Sequence, residues 1–281
     1  MIIDFHTHIF PPTIQYEREK YFSQEPAFKL LYDSPKSKMA GAEALIDSMD
    51  QHRIDKSVVF GFPWKNPEIA KAHNDYIMNA VVKYNKRLIG FCSLDPFNKH
   101  AVSEANRCIE SGISGIGEIV AYLKKLDKRF IEKMTPLMAL CLEKNLPVLL
   151  HSNEPIGHNY PGKIPMTIAE VYELVKRFRK NKIILAHWGG GLLFFHSLKK
   201  EVKAALKNVY YDTAASPYLY DPMIYSVAVR IVTPEKILFG SDFPLLNPDR
   251  YFDELATTGL SRTVMKRICG LNAASLLGIK I

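Results

Sequence analysis

Eight short β-rich runs alternate with helical stretches along this chain, and a strand-then-helix repeat of that number leaves few architectures open. The runs span residues 2–8, 56–62, 88–94, 115–120, 147–151, 182–187, 209–213 and 237–241. Between them the apolar spacing changes from period two to period 3.6, giving clear helical patterns at 67–84, 130–144, 167–179 and 192–206. With 281 residues, 47% of them hydrophobic and 23% charged, the chain can bury one large core. Eight β/α units in that length predict an α/β fold, the (β/α)8 TIM barrel. No Ser/Gly-rich or low-complexity tract divides the sequence, so residues 1–281 are expected to form a single domain. One stretch breaks the rhythm: residues 10–40 separate the first strand from its helix, too long for a plain loop in a compact domain. Its Tyr16, Tyr21, Phe22, Phe28 and Tyr32 suit either a lid over the barrel mouth or a subunit interface, and a homodimer is the expectation drawn from them.

Composition removes several classes of protein. Met1 leads directly into a strand with no basic-then-apolar leader, and no apolar run nears the roughly 18 residues that span a bilayer. A cytoplasmic protein without membrane contact is expected. Cys92, Cys108, Cys141 and Cys269 lack Cys-x-x-Cys spacing and sit in apolar contexts, as buried reduced thiols do. The net charge of +8 could attract nucleic acid, but its clusters fall on helix ends. Lys124, Lys125, Lys128 and Arg129 form one, Lys176, Arg177, Arg179, Lys180 and Lys182 another, and Lys199, Lys200, Lys203 and Lys207 a third. Cations there complement the helix dipole and solvate outer faces, so a small molecule is the expected partner and nucleic acid is not.

The chemistry is read from strand ends. His6 and His8, two apart on the first strand, point to one face. Barrel active sites are assembled from the carboxyl ends of several strands, and metal-competent residues recur there. Glu118 lies in the fourth run, His151 closes the fifth, His187 ends the sixth and Asp242 follows the eighth. One such placement is ordinary; six at one rim are not. Imidazole and carboxylate donors suit a divalent metal, zinc before manganese or iron, with a position left open for water.

These residues, in this order, resemble the amidohydrolase superfamily, and more closely its amidohydrolase-related (amidohydrolase 2) branch, with TatD-like metal-dependent hydrolases as neighbours. The resemblance rests on Asp4-Phe5-His6-Thr7-His8, Gly117-Glu118, His151, Ala186-His187-Trp188-Gly189-Gly190, Gly240-Ser241-Asp242-Phe243-Pro244 and a closing run from Gly270 to Gly278. It implies one or two divalent ions in the barrel mouth that activate water against an ester, amide, lactone or related bond. Many binuclear relatives bridge their ions with a carboxylated lysine, and the fourth-strand run has no lysine; Glu118 takes that place on the TatD-like pattern. One ion would be held by His6, His8, His151 and Asp242; with two, Glu118 bridges and His187 joins the second.

Asp242 is the candidate general base, and His187 is either a second-metal ligand or a group that polarises the substrate. Asp4 shares the inward parity of His6 and His8 and is expected either to orient a ligand imidazole or to be satisfied by backbone donors. Residues just past the strand ends, Trp64, Lys65, Asn153, His158, Trp188 and Tyr218, are the candidate substrate pocket. Lys65 or Lys163 could pair with a substrate carboxylate, although a solvated loop charge is the commoner fate. The reading is a metal-dependent hydrolase. Its rivals are a non-hydrolytic decarboxylase of an unsaturated carboxylic acid at the same site, a TatD-like nuclease or nucleic-acid binder, and a barrel that keeps its metal without turnover.

Overall fold

The computed structural model describes residues 1–280, and within them all eight expected strands form. They are β1 (Ile3–His8), β2 (Lys56–Phe60), β3 (Leu88–Gly90), β4 (Ile116–Ile119), β5 (Val148–Leu150), β6 (Ile183–Leu185), β7 (Val209–Asp212) and β8 (Ile237–Leu238). All ladders are parallel and join sequence neighbours, in one set β1-β2-β3 and another β4 to β8. Single bridges close the two seams. Cys92 pairs with Ile116, and Thr7 with Phe243; the Phe5 N–H donates to the Phe239 carbonyl at 2.8 Å, and the His8 N–H to that of Phe243 at 2.8 Å. The result is the (β/α)8 barrel, with strands shorter than their apolar runs because the last residues of each run turn into the rim.

Alternation along the strands sorts the side chains. One set, including Phe5, Val58, Phe60, Phe91, Leu149, Ile184 and Leu238, fills the barrel interior; Phe5 and Phe91 meet edge to face at 5.6 Å. The opposite set packs outward against the helices. Ala273, Ala274 and Leu276, on the C-terminal helix Asn272–Leu277, join the interior cluster. The Asn272 side chain donates to the carbonyls of Pro234 and Ile237 at 2.6 and 2.8 Å, and Gly270 approaches the Met1 backbone so closely that a Cβ has no room. This helix therefore closes the end of the barrel opposite His8. Three cysteines are buried and Cys269 partly so, all as free thiols.

The helices run as their caps dictate. Pro67–Lys83 starts on Asn66, whose side chain accepts the Glu68 and Ile69 N–H groups, and Ile168–Arg177 starts on a Thr167–Glu170 capping box. The helix expected at 192–206 does not form as such. A 3-10 segment, His187–Ser197, is followed by a short α-helix, Lys200–Ala205. Leu198 is extended between the two pieces and breaks the expected span, and just before that span Trp188, Gly189, Gly190 and Gly191 all take positive φ, which no right-handed helix accommodates. No described helix is long and apolar enough to cross a membrane.

Residues 10–40 fold into helices Pro12–Tyr16 and Pro26–Tyr32 around a 3-10 turn. Their aromatics face the barrel: Phe28 is fully buried, 4.5 Å from the Trp64 ring, 4.8 Å from Tyr32 and 5.4 Å from Phe62. Of the five aromatics expected to serve a lid or an interface, Tyr16 alone is largely exposed, at 84%. The buried Glu25 carboxylate accepts the Lys65 and Asn66 N–H groups at 3.0 and 2.7 Å, fastening the segment to the loop after β2. Replacing Phe28 with Ala should destabilise the protein by about 3–5 kcal/mol, read as a lower urea midpoint; a loss under about 1 kcal/mol would mean that this segment packs independently of the barrel.

Candidate metal centre

Each histidine of the rim is held by its outer nitrogen and offers the inner one to a common space. His6, fully buried at the end of β1, donates from Nδ1 to Asp212 Oδ2 at 2.8 Å. His8 points Nδ1 at the Gly61 carbonyl, 3.4 Å away. His187 donates from Nδ1 to the Ala214 carbonyl at 2.9 Å. His151 is turned the other way round: Nε2 donates to the Gly162 carbonyl at 3.0 Å and Nδ1 faces Glu118 Oε1 at 2.9 Å. A carbonyl only accepts, so these bonds fix the tautomers and leave lone pairs directed inward. The Nε2 atoms of His6 and His8 lie 3.2 Å apart. Two inward lone pairs that close repel unless a cation or a proton lies between them.

Two carboxylates complete the set. Glu118 Oε1 is 4.0 Å from His6 Nε2 and 3.8 Å from His187 Nε2, and its Oε2 is 4.0 Å from His8 Nε2. Asp242 Oδ1 stands 3.5 Å from the Nε2 atoms of both His6 and His8. Potential ligand atoms within 4.8 Å of one another fall into two groups, His6–His8–Glu118 and Glu118–His151–His187. Glu118 is common to both. The single-ion set expected from sequence, His6, His8, His151 and Asp242, is divided by this geometry, because His151 turns toward Glu118 and His187. Neutral imidazoles with the buried Glu118 and the partly buried Asp242 carboxylates carry a net negative charge that a divalent cation matches, so the donors fit such an ion.

Local backbone explains how the side chains arrive. Gly117 has φ +148°, and a Cβ there would lie 2.6 Å from Leu149 Cβ and 2.7 Å from its carbonyl oxygen, so glycine alone lets Glu118 turn inward. His187, Trp188 and Asp242 also hold positive φ, at 55°, 59° and 60°. Such conformations are costly for residues with side chains and gather at functional sites.

The electrostatics follow from burial set against neighbours. Burial opposes charge on His6, yet the carboxylate of Asp212, with Glu118 and Asp242, raises its pKa to about 10. Burial likewise opposes ionisation of Glu118, but His151, His6 and His187 hold it down at about 2. The Asp242 carboxyl, against its burial, is kept well below the usual range by His8, His6 and His187. His151 is raised through Glu118 despite burial, whereas burial and the adjacent His151 lower His187. Without a metal, protons occupy part of the place a cation would take.

The remaining residues singled out from sequence divide clearly. Asp4 does not orient an imidazole: it accepts the N–H groups of His6 (3.2 Å) and Ser241 (2.9 Å) and the Ser241 hydroxyl (2.5 Å). The orienting carboxylate is Asp212, which the sequence reading missed. It closes β7, and the strand-end rule that found Glu118 and Asp242 applies to it equally. Trp188 is a packing residue rather than a pocket wall, fully buried, its indole N–H on Ser216 Oγ at 2.8 Å. Trp64 is also fully buried, in the aromatic cluster. Asn153 pins its own loop through the Ile164 N–H and the Glu154 carbonyl. Lys65 and His158 are exposed, as is Tyr218 at 61%. Lys163 is not free for a substrate carboxylate: its ammonium lies 3.1 Å from Glu154 and donates to the carbonyls of Ile156, Gly157 and His158.

The wall beside the metal-competent residues is aromatic instead. Phe62 and Tyr122 stack with centroids 5.5 Å apart and planes 11° from parallel. Tyr122 reaches to 6.1 Å from the His151 ring, and Tyr32 to 6.3 Å from Phe62. Burial, then the charges of Asp242 and Glu118, push the Tyr32 hydroxyl pKa up. These rings lie on loops and on the 10–40 segment, where sequence gives no register.

Residues 3–279 match the model of a family described as amidohydrolase. No curated protein matches the chain. Among solved structures, one that is similar is 5-carboxyvanillate decarboxylase from Novosphingobium aromaticivorans, complexed with manganese and 4-hydroxy-3-methoxy-5-nitrobenzoic acid. It has a TM-score of 0.77 at 16% identity, over 99% of this chain and 96% of that one. Dihydroxybenzoic acid decarboxylase from Polaromonas, with bound manganese and 2-nitroresorcinol, gives 0.70 at 19% identity, over 99% and 97%. A probable 2-pyrone-4,6-dicarboxylic acid hydrolase from Acinetobacter baumannii gives 0.62 at 14%, over 99% of each chain.

Asp212→Asn should weaken divalent-metal affinity by about ten- to a hundredfold, as measured by competition with a chromophoric chelator; unchanged affinity would remove Asp212 from the orienting role. His6, with a metal-free pKa of about 10, must lose its proton to ligate. Metal uptake at pH 7 should therefore release protons and tighten as pH rises, and calorimetric titrations in buffers of different ionisation enthalpy check the sign.

Proposed function

The chain belongs to the amidohydrolase family, and from that premise we propose that it is a metal-dependent hydrolase of a small, flat, carboxylated molecule, with one scissile ester, amide or lactone bond. The observation that carries this reading is Glu118, shared by two groups of potential ligands. His6, His8 and Glu118, with Asp242 beside them, would hold one ion; Glu118, His151 and His187 would hold a second. A divalent ion there, zinc by preference for these donors and manganese next, supplies Lewis acidity that acidifies water and polarises an oxygen of the substrate.

The protein's own groups then divide the remaining work. Asp242, 3.5 Å from both His6 and His8 and held ionised, is placed to take the proton of the attacking water. His187, neutral and with its proton held on Ala214, presents the Nε2 lone pair to the reacting centre as a ligand. Tyr122, stacked on the buried Phe62, offers its ring to a planar substrate, and residues 10–40 serve as the lid that keeps water out. We place the protein in the cytoplasm, acting as one domain and as a homodimer.

A second reading, decarboxylation, is favoured by the aromatic wall together with the substrates named for two of the similar structures. In that case Asp242, after first taking a proton from a substrate hydroxyl or from water, would pass it to the ring carbon that loses carbon dioxide.

Metal content and product analysis separate the two. Hydrolysis predicts about two ions per chain, falling toward one in Glu118→Gln, and incorporation of ¹⁸O from labelled water. About one ion in both proteins, with carbon dioxide released and no label incorporated, would replace it with decarboxylation. Asp242→Asn should lower turnover by at least about a hundredfold while retaining most of the metal; near-normal rates would remove Asp242 as base.

A further inference from the structure

His73 lies on the helix Pro67–Lys83 and is 1% exposed, outside the metal centre. Both ring nitrogens are engaged. Nδ1 accepts the Trp64 indole N–H at 2.8 Å, and because an indole nitrogen only donates, Nε2 carries the ring proton and donates it to the Ile9 carbonyl at 2.7 Å. Ile9 immediately follows His8. The same ring lies flat against Gly61, where a Cβ would meet Cε1, Nδ1 and Nε2 at 2.6–2.8 Å. Gly61 in turn supplies the carbonyl toward which His8 points Nδ1. One buried imidazole thus touches the backbone on both sides of His8: the residue after it in the chain, and the acceptor that orients its ring. Through Trp64 it also meets the 10–40 segment, since Trp64 packs on Phe28 at 4.5 Å and Tyr21 at 5.7 Å.

We propose that His73 is a positioning residue for the metal: its bond to Ile9 and its contact with Gly61 set the direction of His8 Nε2, and its bond from Trp64 couples that direction to the seating of residues 10–40. The proposal rests on the reading of His8 as a metal ligand. It predicts that the two polar replacements of His73 behave differently. In His73→Asn the side-chain oxygen occupies the place of Nδ1 and still accepts from Trp64, but nothing reaches Ile9. In His73→Gln the amide nitrogen occupies the place of Nε2 and keeps the bond to Ile9.

The test is the affinity of the full chain for Zn²⁺ and Mn²⁺, by competition with a chromophoric chelator, beside melting temperatures of the metal-free proteins. His73→Asn should bind at least about tenfold more weakly and His73→Gln within a few fold of the native protein, although both melt lower. Equal affinities in the two variants, or an Asn variant as tight as the native chain, would overturn the proposal and leave His73 a packing residue. Should neither variant melt cooperatively, Trp64→Phe decides, because it retains the bond to Ile9 and removes only the link to the 10–40 segment. It should weaken binding by a smaller factor, and an unchanged affinity there overturns the coupling. A native chain that takes up neither ion removes the metal reading itself and the proposal with it, which distinguishes the two failures.

Discussion

Asp212 is the point on which the barrel mouth depends. Its two carboxylate oxygens accept from the His6 ring and from the N–H groups of His187 and Ala214. A carboxylate without solvent exposure is tolerable only when such partners replace water. Here the partners also have consequences elsewhere. The bond to His6 fixes which nitrogen faces the centre, and the bond to the His187 backbone steadies a residue with left-handed dihedrals. A third, to Ala214, fixes the turn whose carbonyl takes the His187 ring. One buried charge on β7 therefore determines two imidazoles, one from β1 and one just past β6, and Glu118 stands within 4.0 Å of both.

The fold was legible because its information is local and repeated. Apolar runs of period two, broken by helical stretches, locate eight strands whatever the loops do, and capping residues such as Asn66 and Thr167 mark where helices begin. The metal-competent residues were legible for a related reason: a strand's carboxyl end fixes both the place and the facing of its last side chains. Failures began where position depends on partners distant in sequence. Of the two fates open to Asp4, the backbone one holds, decided by Ser241, 237 residues later. Trp188 and Trp64 follow strands as pocket residues would, and whether such a ring faces a cavity or the core is decided by Ser216 in one case and His73 in the other. The helix expected at 192–206 fails on backbone alone, since apolar periodicity is blind to the 3-10 winding up to Ser197 and the extended Leu198 that follows it.

The site also shows a division between rigid and adaptable parts. Ligand-competent side chains project from strand ends or from the residues just past them, three of the imidazoles facing backbone carbonyls and that of His6 fastened by Asp212. The aromatic wall, by contrast, comes from the loops after β2 and β4 and from residues 10–40. Donors that must keep their spacing within a few tenths of an ångström stand on the first, and the second is free to differ between proteins that share the fold. This is how one fold serves hydrolytic and decarboxylating relatives alike.

The closing helix has a consequence for how the protein is made. β1, with His6 and His8, precedes the other seven strands, yet its partners on one side, Phe239, Ser241 and Phe243, and the Gly270 backbone beneath it lie more than 230 residues later. Until those residues are synthesised, the first strand has only β2 beside it and Asp242 is absent. A chain synthesised only as far as β7 therefore cannot assemble the complete set of donors, and the centre has to wait for the strand that closes the barrel.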